Sequence, residues 1–267
     1  MSLIHPTALV EPGAEIAEGV EIGPYCVVGA QVRIDAGTRL LSHVVVQGRT
    51  SIGRDNVIHP FCSLGAVPQD KKYAGEPTEL HIGSRNTIRE CCTVNLGTAQ
   101  DVGVTRIGDD NWIMAYVHVA HDCQVGDHVV FANSTQLAGH VHVGDWTVLG
   151  GFTGVHQFVH VGAHVMAGIH SVLTQDVPPF VLLGGAPAVP HGINAEGLRR
   201  RGFPAERIAV LKRAYRLLYR QGLSLEQAQQ QLQADCSARD VQTAGAAGDL
   251  GQLLEFLRAS RRGIVRP

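Results

Sequence analysis

The strongest constraint on this chain is a spacing of six. Starting at Ile4, an aliphatic residue returns at Val10, Ile16, Ile22, Val28, Ile34, Leu40, Val46, Ile52, Ile58 and Leu64. Ile, Leu and Val make up roughly a quarter of ordinary sequence, so eleven consecutive matches would arise by chance on the order of once in a million. The phase fails at Asp70 and Glu76, inside VPQDKKYAGEPT, and returns at Ile82, Ile88 and Val94. A second break covers GTAQDVGVT, and the period then runs from Ile107 to Leu173. Helices repeat every 3.6 residues and half-buried strands every two, so neither alone accounts for six. Short strands joined by corners do, when each coil stacks on the last and each strand buries one aliphatic residue: a parallel β-helix. Gly or a small polar residue often follows the aliphatic place, as in IGPYCV, IGRDNV and VGDWTV, which suits a tight corner.

After Pro190 the period disappears. Helical spacing takes over at Ile208, Leu211, Tyr215, Leu218 and Tyr219, with Pro204 suited to a first turn and Gly222 to a stop. Ser224 and Gln227 have the spacing of a capping box, and a last helix is predicted over residues 249–262, after a TAGAAG linker at 243–248. The expected organisation is a coil domain over 1–190, with loop insertions near 67–78 and 97–106, and a helical domain over 191–267.

Charge divides along the same line. The chain is −2 overall, yet residues 191–267 hold 13 Lys/Arg against 7 Asp/Glu, so the tail is basic and the body acidic. A basic tail points to an anionic partner. No apolar run approaches the length of a membrane span, so stable membrane insertion is not expected, and neither is a nucleic-acid partner. The opening MSLIHPTALVEPGAE lacks the features of a signal peptide, and the six cysteines form no Cys-x-x-Cys pair. Both observations suit reduced thiols in a cytoplasmic protein.

VHVAHDCQVG, at 117–126, sets two histidines three residues apart with an aspartate directly after the second. It reads as a catalytic base with its carboxylate, as a metal site, or as surface decoration. Among 14 histidines, His5, His43, His59, His81, His128 and His164 read as corner or surface residues. His118 with His121, and His140 with His142, have spacings seen among zinc ligands, which keeps a metal reading open.

The hexads resemble the left-handed hexapeptide-repeat family, which implies three hexads and so 18 residues per coil, and a fold that is mainly β: a left-handed parallel β-helix followed by a small α-helical C-terminal domain. Residues 18 apart would then stack at roughly 4.7–4.9 Å. His121 falls beneath Gly139 and Gln157, and Asp122 beneath His140. His121, two places after the interior Val119, is expected to point outward, so a cleft would need the 67–78 segment or a second subunit across from it.

Further stretches carry a narrower resemblance: QDKKYAGEPT, HVAHDCQVG, LAGHV, GVHQF, AHVMAG, QDVPPF and NAEGLRRRGF, in that order. Together they resemble the acyl-[acyl-carrier-protein]–UDP-N-acetylglucosamine O-acyltransferases, which open lipid A assembly. The resemblance implies a homotrimer that moves a 3-hydroxyacyl group from acyl carrier protein to the 3-hydroxyl of UDP-N-acetylglucosamine. It implies no metal and no cofactor beyond the phosphopantetheine of the carrier. It makes His121 the general base, Asp122 its orienting partner and Gly139 N–H the oxyanion donor. Substrate contacts are implied at Asp70, Lys72, His118, His140, His156, Gln157, Asn194, Glu196, Arg200 and Arg201. Ile169 falls where the family limits acyl-chain depth, which implies a shorter chain than glycine there would admit. The basic helices, with Arg207, Lys212, Arg213, Arg216 and Arg220, would suit an acidic carrier protein. The VNLGT segment at 94–98 departs from the family by lacking a His-Arg pair, so no contact is carried over there. The alternatives are a zinc enzyme like the γ-class carbonic anhydrases and another hexapeptide sugar acyltransferase.

Overall fold

Three parallel sheets close into a triangular prism in which each turn of chain adds one short strand to each face. A computed structural model describes residues 3–237 and 245–266. The first face begins with 3–4, 21–22 and 39–40 and ends with Val181–Gly184, against which Val189–Ile193 runs antiparallel. The second face runs from Leu9–Val10 to Val172–Leu173, and the third from Glu15–Ile16 to His160–Val161. Most neighbouring strands pair residues 18 apart, as Val119 with Leu137 and Val125 with Val143. The step lengthens where the six-residue phase fails, to Ile58 against Ile88 and Ile82 against Ile107. Both breaks leave the prism between the second and third faces, after Ala66 and after Asn95.

The hexad aliphatics fill the interior. Ile113, Val119, Val125, Phe131, Leu137 and Val143 are all 5% exposed or less. Their backbone N–H and C=O groups bond to the coils on either side, so few interior polar groups go unpaired.

The corners differ from the sequence expectation. Three residues after each interior position the chain turns through the left-handed region, and eighteen of these places hold non-glycine residues with φ between +56° and +70°, including Tyr25, Phe61, Asp122, His140 and His164. Such residues lose roughly 1–2 kcal/mol each relative to right-handed backbone, a cost that stacking on neighbouring coils must offset. The glycine just after the aliphatic residue does a different job: a Cβ on Gly23 would strike the Leu41 carbonyl of the next coil.

The C-terminal part comprises α1 (Ala195–Arg200), α2 (Ala205–Tyr219), α3 (Leu225–Ser237) and α4 (Ala246–Ala259). Leu198, Ile208 and Leu211 pack on Phe180 at the end of the prism, while Leu217 and Leu218 meet Leu250, Leu253 and Leu254. The Ser224–Gln227 capping box forms, with both reciprocal bonds, at 2.9 and 3.1 Å. Helix α4 starts at Ala246, earlier than predicted, so Ala246–Gly248 are helix rather than linker; residues 243–244 of the predicted linker lie outside the described residues. Arg207 of α2 grips Asp249 of α4 with two bonds of 2.7 Å, which removes it from the free cations the sequence suggested for a carrier protein. No helix among the described residues is long and apolar enough to cross a membrane.

Candidate active site

The corner between the second and third faces gathers the chemistry. Val119, Leu137 and Val155 point inward on three successive coils, so the residues three places on, Asp122, His140 and Phe158, stack at the left-handed positions with φ of 59°, 62° and 65°. One place earlier His121 lies against Gly139. Any side chain at Gly139 would overlap the His121 imidazole, so only glycine leaves its amide beside that ring.

His121 is buried, at 8% exposure, rather than pointing freely outward. Beside it the second break in the period leaves the prism one coil below, and this loop reaches Asp122 through Thr98 and His140 through Asp101. His121 Nδ1 lies 3.0 Å from Asp122 Oδ2. An ionised carboxylate can only accept, so Nδ1 carries the proton and Nε2 is left as an acceptor. Asp122 is fully buried, its carboxylate takes bonds from the Thr98 N–H and hydroxyl, and its own N–H donates to Thr105 Oγ1 at 2.8 Å. Burial pushes the Asp122 carboxyl up, but the bonds from His121 and Thr98 outweigh it and hold the group below its ordinary value.

His140 is also buried. Its Nδ1 sits 2.6 Å from Asp101 Oδ2 and 3.8 Å from Asp122 Oδ2; its ring meets His121 edge-on at 4.9 Å and stacks on Phe158 at 4.3 Å. His118 Nδ1 is 2.7 Å from Thr93 Oγ1, and burial, with His121 nearby, holds His118 below its usual value and so neutral at pH 7. His156 is exposed and bonds the Gln157 carbonyl through Nδ1.

The remaining expected contacts fall into separate groups. Asp70 and Lys72 lie on the segment after Ala66, at this same corner but two coils down, with Asp70 Oδ1 accepting the Lys72 N–H at 2.9 Å. Asn194, Glu196, Arg200 and Arg201 belong to the corner between the third and first faces. Asn194 caps α1 and donates to the His164 carbonyl, while Glu196 pairs with Arg199 and Arg200. Arg201 donates to the Trp146 carbonyl at 2.8 Å and lies 5.3 Å from the Trp146 ring centre. His164, which the sequence reading assigned to structure alone, is thus part of this group, and burial with the nearby Arg201 pulls it down to about 4. One full side of the prism, on the order of 15–20 Å at about 3.3 Å per residue, separates the two corners. Within one chain the two groups do not converge.

Ile169 stands 68% exposed on the corner between the first and second faces. Across the second face, between it and His121, runs an apolar groove of about 410 Å³ lined by His118, Leu137, Ala138, Gly154, Val155 and Val172. A larger groove, about 820 Å³, lies on the third face between His142, His160 and Phe256 of α4, and neither His121 nor Asp122 lines it. Of the two zinc-like histidine pairs, His118 and His142 join no metal-like cluster among the described residues; His142 stacks on His160 instead, at 4.3 Å. His121, Asp122 and His140 do come together, with ligand atoms within 4.8 Å of one another. Thr98, Asp101 and Thr105 were not identified from the sequence. The only signal for them was the interruption of the period itself.

A family model described as UDP N-acetylglucosamine O-acyltransferase, domain 2, matches residues 176–265, and the bacterial hexapeptide-transferase repeat model matches residues 1–36 and 105–139. The acyl-[acyl-carrier-protein]–UDP-N-acetylglucosamine O-acyltransferase of Janthinobacterium sp. strain Marseille is 58% identical over 266 residues, the full length of both chains. This chain belongs to that acyltransferase family. A relative of the same name from Verminephrobacter eiseniae is 59% identical, again over the whole of both. Among solved structures of the family, that from Acinetobacter baumannii superposes with a TM-score of 0.93 at 46% identity, covering 99% of this chain and 100% of its own. The UDP-N-acetylglucosamine acyltransferase of Francisella novicida gives 0.94 at 38%, covering 99% and 94%. The left-handed β-helix and the helical C-terminal part are thus shared along the whole family chain.

Proposed function

We propose that this acyltransferase moves a 3-hydroxyacyl group from acyl carrier protein to the 3-hydroxyl of UDP-N-acetylglucosamine, the first step of lipid A biosynthesis, by direct attack. The observation that carries the reading is the His121–Asp122 pair set against the side-chain-free amide of Gly139. His121 Nε2 takes the proton of the sugar hydroxyl as its oxygen attacks the thioester carbonyl. Asp122 stabilises the imidazolium that forms. The Gly139 N–H donates to the developing oxyanion. As the C–S bond breaks, the imidazolium returns its proton to the leaving thiolate, so no acyl-enzyme and no cofactor are needed.

The separation of the two polar corners supports a homotrimer, in which the Asn194–Arg201 group of one subunit faces the His121 corner of the next. The exposed aromatic edge formed by Tyr25, Phe61, Tyr116 and Phe152, each 56–61% exposed, would then be covered near the threefold axis. In that arrangement Asp70, Lys72, His118, His140, His156 and Gln157 contact the nucleotide sugar, and Arg200 and Arg201 meet its diphosphate. The acyl chain lies in the groove of the second face, with Ile169 limiting its depth. The exposed Lys212, Arg213 and Arg216 on α2, with Arg220 at its C-terminal cap, receive the carrier protein, without Arg207.

A zinc-dependent reading has one observation in its favour, the close approach of His121, Asp122 and His140. Acyl transfer measured with and without a strong chelator separates the two. Full activity after chelation supports the direct-attack reading, and loss restored by zinc supports the other.

A further inference from the structure

The geometry assigns Thr98 as a positioning residue for the His121–Asp122 pair, an inference that rests on the general-base reading of His121. Asp122 is a carboxylate with no exposure to water, so every lone pair must be met by protein. Thr98 supplies three contacts: its N–H lies 3.0 Å from each oxygen, and its hydroxyl donates to Oδ2 at 2.6 Å. The other close donor among the described residues is His121 Nδ1, at 3.0 Å from the same Oδ2. Three donors thus meet Oδ2: the Thr98 N–H, which it shares with Oδ1, the Thr98 hydroxyl and His121 Nδ1. The hydroxyl makes the shortest of these bonds and, with the shared N–H, holds the carboxylate in the rotamer that keeps Oδ2 beside the imidazole and the ring proton on Nδ1.

The local sequence explains how a loop reaches so deep. Residues 96–103 replace an ordinary corner, and Gly97 forms the neck. A Cβ there would overlap the backbone of Gly103 and Val104, so glycine lets the two limbs of the loop close and lifts Thr98 beneath Asp122. Thr98 is itself 1% exposed, so its hydroxyl has no solvent alternative. From the other side, Thr105 Oγ1 receives the Asp122 N–H at 2.8 Å, so the residue is held at both ends by threonines of the coil below.

The test uses the full-length protein with UDP-N-acetylglucosamine and 3-hydroxyacyl carrier protein. Thr98→Val keeps volume and the backbone donor but deletes the hydroxyl. The expected result is a fall in kcat of about tenfold with both KM values held within about twofold, because a charge-assisted bond to a group that acts only through His121 is lost. Thr98→Ser, which restores the hydroxyl, is expected to recover kcat to within about threefold of wild type. Wild-type kcat in the Val variant, a loss confined to KM, or a Ser variant as impaired as Val would overturn the assignment. Should Val not fold, Thr98→Ala paired with Thr98→Ser decides on the same criteria. His121→Ala run alongside separates the two levels: if it retains turnover the general-base reading fails, whereas if it is inactive while Thr98→Val is normal, only the role of Thr98 fails.

Discussion

Asp101 Oδ2 lies 2.6 Å from Nδ1 of His140, a bond that ties the tip of the 96–103 loop to the coil above His121. It places the His140 proton on Nδ1 and leaves Nε2 as an acceptor. Asp101 is partly exposed, so its contribution is screened relative to a buried pair. Asp101→Ala is expected to raise KM for UDP-N-acetylglucosamine about five- to tenfold while changing kcat less, as loss of ground-state orientation does. Steady-state kinetics at saturating acyl donor would check this, and an unchanged KM would count against the orienting role.

The proposed acyl-chain limit at Ile169 is testable by substrate profile. Ile169→Gly should move the preference toward longer 3-hydroxyacyl donors, with little effect on KM for the nucleotide sugar. Competition between donors of different length measures it; an unaltered profile would sink the idea.

Arg207 and Arg213 sit on the same helix but should behave differently. Arg207 is half-buried and doubly bonded to Asp249, so Asp249→Ala is expected to destabilise the protein by about 2–4 kcal/mol, because it strands a partly buried guanidinium. Arg213→Ala, on the exposed side, should leave the melting temperature unchanged and raise KM for the acyl carrier donor. Thermal melts and donor titrations on both variants separate structure from recognition.

His164 is expected to contribute an acid-sensitive part of the stability. Burial and Arg201 lower its pKa from 6.5 to about 4 in the folded protein, so the unfolded chain binds the proton more readily. A depressed folded value means its contribution to stability is present above about pH 6.5 and is lost progressively as pH falls toward 4. His164→Asn, which tolerates the left-handed corner, should flatten the decline of denaturant stability across that window. An equally steep decline in the variant would show that other groups set it.

The prism was legible because each buried place repeats every sixth residue, so Ile4 to Leu64 and Ile107 to Leu173 announce their own stacking. The stacking of His121, Asp122, Gly139 and His140 needed one thing more, the 18-residue coil that the family resemblance implies. The corners were less legible, because glycine's ease at positive φ suggested where they should fall, whereas tight stacking forces Asp122, His140 and Phe158 into that region. Thr98 and Asp101 lay beyond the count altogether. They occupy the segment where periodicity stops, and spacing carries no positional information there. Arg207 misled in another way, since a charge tally cannot see Asp249 some forty residues on.

The most direct test of the central claim is turnover by His121→Ala, with circular dichroism and oligomeric state measured on the same sample. The variant is expected to fold and assemble like wild type and to lose acyl transfer by about 10²–10⁴-fold, the usual worth of a positioned general base. A folded His121→Ala that retains transfer within about twofold of wild type would contradict the mechanism.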